Sequence, residues 1–369
     1  MVRLGTYGQR SAGHPVRLGQ ISAGSAIDVG GRDRTGTVGL IANPVSARDI
    51  RRVIANASSL QVADRANIVL RAAAALGATG IDKIYAMPDK KGIQALVQRG
   101  LERERNMGHR LPHVEFLDMS ITSSVDDTHR AVDLLAELAV DAIIVLGGDG
   151  THRAVVSRCA TIPIVGISTG TNNAYPEMRE STVSGLAAGL YSSGAVPGSV
   201  AITDNKLLEV SVNGGEITDL ALVDVVASTD RYVGARALWR TESIAEIFVT
   251  FADPEAVGMS AVAGVLEPVG RADRYGLHVK LGPGGRRLKA AIGPGMLSSI
   301  DVESWTRLLP EQAMAVTPEA GTLALDGERE LELRPGDDVS LTLRPAGFVS
   351  IDVGRTVRWA AREGIFIEP

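Results

Sequence analysis

The chain has 369 residues, a formal net charge of −5 and a single cysteine. This length is more than one compact core usually accommodates, so we expect two domains. The acidic balance, with lysine and arginine scattered along the chain, argues against a nucleic-acid-binding protein, and the lone Cys159 argues against disulfides and fits a reducing cytoplasm.

The first 36 residues are rich in Arg, Gly and Ser and lack a long apolar run, which predicts a flexible extension rather than a signal peptide. No apolar run in the sequence is long enough to span a membrane, so we expect no membrane partner.

From residue 37 to residue 197, short apolar strands alternate with amphipathic helices. The strands are predicted from Thr37 and at 82–87, 114–119, 140–146 and 161–168, and the helices at 47–58, 64–76, 89–107, 124–139 and 181–193. This alternation is typical of βαβ units and predicts a Rossmann-like α/β domain with a parallel sheet.

Residues 198–353 are rich in short β runs with regular turn signals, which predicts an antiparallel β-sandwich or barrel. Hairpins are expected around Asn213–Glu216 and around Gly282–Gly285, and a helix at 235–247. Residues 354–369 are expected to form a C-terminal helix and tail.

The stretch VDAIIVLGGDGT at 140–151 carries the strongest chemical signal. Gly147, Gly148 and Gly150 leave backbone N–H groups open to a phosphate, and a helix beginning near Thr151 would add its dipole. Asp149 does not suit passive binding, because a carboxylate repels polyphosphate unless it shares a metal or takes a proton from an attacking hydroxyl. The alternative is an ordinary Asp-Gly turn with Thr151 as an N-cap.

Four further features are candidates for the functional site: two loops that follow predicted strands, one histidine and one turn. Asn43 lies in the first loop, after the first strand. His152 directly follows the glycine loop and could donate to a phosphate, although a lone histidine is more often a packing residue. The second loop consists of Gly170, Thr171, Asn172 and Asn173. The turn is hairpin-like and consists of Asp326, Gly327 and Glu328.

These motifs, in this order, resemble the superfamily that contains NAD kinases, diacylglycerol kinases and sphingosine kinases. VGLIANPVSARDIRR, the MPD at 87–89 and GISTGTNNAYP are most similar to the acetoin catabolism protein X group. The resemblance implies a parallel-sheet domain followed by a β-sandwich, a homo-oligomer, ATP or polyphosphate as donor, and a divalent cation, Mg²⁺, in the reaction.

The resemblance also implies residue roles. Asp149 becomes the general base on the acceptor hydroxyl, and the acceptor side is formed by Asp224, Asp326 and Glu328. The donor phosphates would be bound by Asn43, Gly147, Gly148, Gly150, Thr151, Gly170, Thr171, Asn172 and Asn173.

The sequence departs from NAD kinases at two places. Val223-Asp224 stands where NAD kinases carry Asn followed by an acidic residue, and Gly258–Gly264 is only loosely similar to their TGSTAY loop. We therefore consider three functions: transfer of phosphate to NAD to give NADP, the same transfer to a lipid or another small molecule, and a non-catalytic nucleotide-binding regulator.

Overall fold

The computed structural model describes residues 36–44, 60–170, 173–229, 243–327 and 329–367. The predicted extension up to residue 35 and the predicted helix at 47–58 lie outside the described residues. Among the described residues, no helix is long and apolar enough to cross a membrane.

Five parallel strands form the first part of a mixed sheet, in the order β3-β2-β1-β4-β5. They are β1 Thr37–Ala42, β2 Lys83–Ala86, β3 His113–Phe116, β4 Ala142–Gly147 and β5 Ile164–Ser168. Five helices follow these strands or precede them, namely α1 Val62–Ala78, α2 Ile93–Asn106, α3 Val125–Glu137, α4 Asp149–Val156 and α5 Ser181–Ser192. The predicted βαβ arrangement is confirmed.

Strands from the second half of the chain extend this sheet. The long strand β15, Val339–Ile351, lies parallel to β5 and antiparallel to β6, Ile202–Val212. Strand β7, Ile217–Ala221, pairs with β6, and β12, Ala313–Ala315, pairs with β15. These four strands come after the predicted domain boundary at 197/198, so membership of the first sheet does not follow that boundary, which stays a prediction.

The second sheet is antiparallel, in the order β11-β10-β9-β8-β13-β14. Its strands are β8 Asp224–Ser228, β9 Ile244–Val249, β10 Gly276–Gly293, β11 Met296–Leu308, β13 Gly321–Leu325 and β14 Arg329–Leu333. The remaining helices are α6 Gly198–Ala201, α7 Met259–Leu266 and α8 Val353–Arg362.

One apolar core joins the two sheets. It contains Val210 of β6 and Leu341 of β15 from the first sheet, together with Val225 of β8 and Leu323 of β13 from the second. The sandwich therefore forms between the antiparallel extension of the first sheet and the second sheet, and the predicted fold class is confirmed.

Two local predictions are wrong. Gly282–Gly285 forms no hairpin turn but a bulge inside β10, where Leu281 and Arg286 both oppose Val302. The helix predicted at 235–247 is contradicted where the structure describes it, since Ile244–Val249 is a central strand of the second sheet. Tertiary pairing outweighs local propensity there.

Candidate active site

The GGDGT loop joins strand β4 to helix α4 at the carboxyl edge of the parallel strands. Strand β4 is buried throughout, and helix α4 begins at Asp149 with Gly148 as its N-cap, rather than near Thr151. A Cβ on Gly147 would lie 2.5 Å from the Thr151 Cβ, and a Cβ on Gly148 would lie 2.8 Å from the Asn173 Oδ1. Close packing inside the protein therefore already requires glycine at position 147, whereas a side chain at position 148 would displace the Asn173 amide.

Asp149, the predicted catalytic residue, is nearly buried in the first turn of α4. Its Oδ2 accepts the backbone N–H of Ala174 at 2.9 Å, and its Oδ1 accepts the backbone N–H of Tyr175 at 2.8 Å. These charge-assisted hydrogen bonds orient both carboxylate oxygens. Asp149 thus joins helix α4 to the loop that follows β5.

Asn43 and Thr151, which are 108 residues apart, lie side by side. The Asn43 Nδ2 donates to the Thr151 Oγ1 at 3.1 Å, and the guanidinium of Arg65 donates to the Asn43 carbonyl oxygen. Asn43, Gly150 and Thr151 line a first cavity of about 210 Å³ at the carboxyl ends of the parallel strands. The structure brings these three predicted phosphate-binding residues together, and their binding of phosphate stays a prediction.

The loop after β5 lies against the glycine loop. The Asn173 Nδ2 donates to the Ser168 Oγ at 2.8 Å and to the Gly170 carbonyl oxygen at 3.3 Å, so Asn173 holds its own loop in shape. Thr171 and Asn172 lie outside the described residues.

A narrow second cavity of about 30 Å³ is lined by Asp149, Asp224 and Asp326. Gly258, which also lines it, is the N-cap of helix α7 and has φ 114° and ψ −153°, a conformation that favours glycine. The structure therefore brings the predicted base and two predicted acceptor-side carboxylates to one cavity, where helix α7 begins. Glu328 lies outside the described residues.

Asp326 supports the backbone that carries Asp224. Its Oδ1 accepts the backbone N–H groups of Leu222, Val223 and Asp224 at 3.1, 2.8 and 3.2 Å. Burial raises the pKa of Asp326, and the positive charge of Arg153 opposes that rise. Because Arg153 belongs to helix α4 and donates to the Leu325 carbonyl oxygen at 2.6 Å, it links the glycine-loop helix to the turn that holds Asp224.

His152 is a packing residue. Its ring is fully buried, its Nδ1 lies 2.8 Å from the Gly148 carbonyl oxygen, and its Nε2 has no hydrogen-bond partner among the described residues. Burial lowers the pKa of His152 from 6.5 to about 4, so the ring is neutral at pH 7. It does not line either cavity, which favours the packing interpretation over phosphate binding.

The burial of His152 predicts a loss of stability in acid. As the pH falls from 6.5 towards 4, the unfolded chain binds a proton at this residue before the folded chain does, so the free energy of unfolding decreases. The shift corresponds to about 3 kcal/mol at most. Urea unfolding at pH 7 and pH 4.5 should show a smaller acid loss for His152→Asn than for the wild type.

The matched control for this measurement is His113→Asn, because His113 lies exposed on strand β3. This variant should keep the wild-type pH dependence. An equal acid loss in His152→Asn and wild type would show that His152 does not titrate as inferred.

The first cavity is also lined by three charged residues that were not predicted as site residues: Asp89, Lys90 and Asp127. The Asp89 carboxylate accepts the backbone N–H groups of residues 91–94 at 2.6 to 3.2 Å. The Lys90 Nζ donates to the Ile121 carbonyl oxygen at 2.6 Å and so crosses to the loop after β3. The MPD motif at 87–89 was the one sequence signal at this position.

The protein does not build a metal cage in the part of the chain that the structure describes, where no three His, Cys, Asp or Glu residues are placed to hold a metal ion. The carboxylate oxygens of Asp149 and Asp224 at one cavity suit Mg²⁺, which usually takes one or two carboxylates and completes its shell with substrate phosphates and water. These residues therefore fit a cation that shares the phosphates of a nucleotide.

The fold and the glycine loop agree with comparisons to known protein families. Residues 38–195 match the model of the ATP-NAD kinase N-terminal domain, and residues 206–346 match the Acetoin catabolism protein X C-terminal domain. The "Acetoin catabolism protein X" of Cupriavidus necator is 52% identical over 331 residues, which cover 88% of this chain and 92% of that protein. The chain therefore belongs to the acetoin catabolism protein X family.

A more distant relative and one aligned crystal structure carry kinase names. The NAD kinase of Thermoplasma volcanium is 26% identical over 228 residues, which cover 58% of this chain and 76% of that enzyme. The crystal structure of yeast NADH kinase complexed with NADH aligns with a TM-score of 0.44 and 14% identity, over 92% of this chain and 89% of that one.

Proposed function

We propose that the protein transfers a phosphoryl group from ATP or polyphosphate to a ribose hydroxyl of NAD, giving NADP. One observation carries the proposal: adjacent residues of the glycine loop line different cavities. Gly150 lines the first cavity and Asp149 lines the second. A donor phosphate in the first cavity and an acceptor hydroxyl in the second would meet at the start of helix α4, which is where an in-line transfer needs them.

The first cavity suits the donor. It lies at the carboxyl edge of a parallel sheet, where α/β proteins commonly bind nucleotides. The Asn43 amide and the Thr151 hydroxyl lie at its wall beside the N-terminus of helix α4, whose dipole favours phosphate. The same cavity carries one positive charge, on Lys90, and two negative charges, on Asp89 and Asp127.

The second cavity suits the acceptor hydroxyl. Asp149 is oriented by two backbone N–H groups and can take the proton of that hydroxyl as it attacks the phosphorus, while Asp224 can bind a neighbouring hydroxyl. The volume of about 30 Å³ admits a hydroxyl or a water molecule, so the walls must separate to admit a nucleoside.

The family match supports NAD as the acceptor, because residues 38–195 match the ATP-NAD kinase N-terminal domain and one relative is named NAD kinase. A second candidate is transfer to a small polyol. It is favoured by the narrow second cavity, by Val223 where NAD kinases carry Asn, and by the name of the 52% identical relative.

A phosphate-transfer screen tests both candidates. Radiolabelled ATP, and separately labelled polyphosphate, would be incubated with Mg²⁺ and with NAD, NADH, short diols or diacylglycerol. Label on NAD supports the proposal, and label on diols alone supports the second candidate. Label on lipid alone would contradict both, and calorimetric binding of ATP or NAD without any product would indicate a non-catalytic regulator. The predicted cytoplasmic location and homo-oligomeric state stay predictions.

A further inference from the structure

Arg271 contacts one of the two peptide groups that hold Asp149, the peptide that joins Ala174 to Tyr175. It lies in the loop between helix α7 and strand β10, and its Nη2 donates to the carbonyl oxygens of Ala174 and Tyr175 at 2.6 and 3.0 Å. The N–H groups of these two residues donate to the Asp149 carboxylate. The Ala174–Tyr175 peptide is thus bonded through its N–H to the Asp149 carboxylate and through its C=O to the Arg271 guanidinium, while the Ala174 N–H belongs to the preceding peptide and the Tyr175 C=O to the following one.

Aromatic rings hold the guanidinium of Arg271 in this position. Its central carbon lies 4.4 Å from the centre of the Phe251 ring and 5.3 Å from the centre of the Tyr175 ring. The Tyr175 ring is itself packed against His152 of helix α4 and against Phe348, with ring centres 5.6 and 5.4 Å apart. The side chain of Arg271 is exposed to solvent, but its orientation is defined.

The loop that carries Arg271 is anchored as well. The buried ammonium of Lys206 donates to the carbonyl oxygens of Gly270 and Tyr275 at 3.0 and 2.9 Å, and the Asp273 carboxylate accepts the Gly270 N–H at 2.7 Å. Within the described part of the chain, Arg271 makes no ion pair with a carboxylate, and its polar partners are these peptide carbonyls. Its charge is therefore directed at the Ala174–Tyr175 peptide, whose N–H donates to the Asp149 carboxylate.

We propose that Arg271 is a positioning residue that fixes the Asp149 carboxylate through the peptide that joins Ala174 to Tyr175. A guanidinium on the carbonyl side polarises a peptide group and strengthens the hydrogen bond that its N–H donates. The arrangement also makes the orientation of Asp149, in the first half of the chain, depend on a loop of the second half. The inference rests on the proposed function only in taking Asp149 as the catalytic carboxylate.

Two measurements test the proposal, and the first needs no activity. In Arg271→Ala, the backbone amide of Tyr175 should exchange its hydrogen about tenfold faster than in the wild type, because its bond to Asp149 is weakened, whereas the amide of Ala174, which belongs to the preceding peptide, should change less. The matched control is Arg307→Ala, whose guanidinium also lies over a ring, Tyr275, but pairs with Glu267. That control should leave the exchange of both amides unchanged.

The second measurement separates a positioning role from a general structural one. Arg271→Ala should lower kcat about tenfold with little change in KM for either substrate, and added guanidinium ion should restore part of the loss, since the site is open to solvent. Arg271→Lys should be intermediate, because an ammonium lacks the planar donor geometry. Arg307→Ala should keep wild-type kcat.

Failure of the inference and failure of the proposed function give different results. If the wild type transfers phosphate but Arg271→Ala keeps wild-type kcat and wild-type amide exchange, the positioning role of Arg271 is wrong. If the wild type transfers no phosphate to any acceptor, the proposed function is wrong, and faster exchange at Tyr175 in Arg271→Ala still supports the contact between Arg271 and the peptide that holds Asp149.

Discussion

Asp149→Asn is expected to fold and to lose phosphoryl transfer by a factor of about 10² to 10⁴, the usual contribution of a general base. Asparagine has nearly the same shape, but its amide cannot take the proton of the acceptor hydroxyl. Steady-state rates with the acceptor found in the transfer screen would measure the loss. KM should change less than kcat, because the carboxylate acts on the reacting hydroxyl rather than on the rest of the substrate.

The substitution has a structural cost that must be separated from the chemical one. The two oxygens of Asp149 accept the N–H groups of Ala174 and Tyr175, and an asparagine can accept only one of them through its oxygen. We expect a loss of about 1 to 3 kcal/mol in the free energy of unfolding for the bond that is lost.

A suitable control is Asp352→Asn. Asp352 accepts the backbone N–H of Arg355 at 2.8 Å as the N-cap of helix α8, and it lines neither the first nor the second cavity. Asparagine caps helices as well as aspartate does, so this variant should keep both stability and turnover. If Asp149→Asn folds and retains the wild-type rate, Asp149 is not the base.

The sequence was sufficient for the parallel half of the fold because its signals are local. The apolar run 142–146 ends in glycines, and Ser124, where a helix was predicted to begin, caps helix α3 by accepting the Asp126 N–H. The insertion of β15 beside β5 depends on a contact between Ser350 and Ile164, far apart in the chain. No local pattern encodes such a pairing.

The candidate site shows the same division. The glycine loop and Asn43 were predicted because they follow parallel strands whose carboxyl ends meet at the same edge of the sheet. Arg271 was not predicted, because its role depends on carbonyl groups that are 96 and 97 residues away in the chain. An exposed arginine in a loop belongs to no sequence motif. Asp326 was predicted from its turn motif, but only the structure shows that its carboxylate bonds to the strand that carries Asp224.

Asp326→Ala is expected to destabilise the protein by roughly 3 to 5 kcal/mol, the range for removing one partner from a buried charged network. Asp326 is 4% exposed, and its carboxylate accepts the backbone N–H groups of Leu222, Val223 and Asp224. Alanine would leave these donors buried without partners. The φ of Asp326, 49°, also lies in the left-handed region, which aspartate and asparagine adopt more readily than alanine.

Asp326→Asn separates shape from charge. Because burial raises the pKa of Asp326, the charged carboxylate is disfavoured there relative to a neutral group, despite the positive charge of Arg153 nearby. A neutral side chain of the same shape should therefore recover most of the stability that Asp326→Ala loses. Urea unfolding of both variants measures the difference in the free energy of unfolding. The control is Asp337→Ala, because Asp337 accepts a backbone N–H in a solvent-exposed turn.

The expected order of stability is wild type close to Asp337→Ala, then Asp326→Asn, then Asp326→Ala. Turnover should follow the same order, because the start of strand β8 sets the distance of Asp224 from Asp149 across the second cavity. Equal stability of Asp326→Ala and Asp337→Ala would contradict a supporting role for Asp326. A stable Asp326→Ala that binds the acceptor poorly would instead assign Asp326 to direct contact with the acceptor.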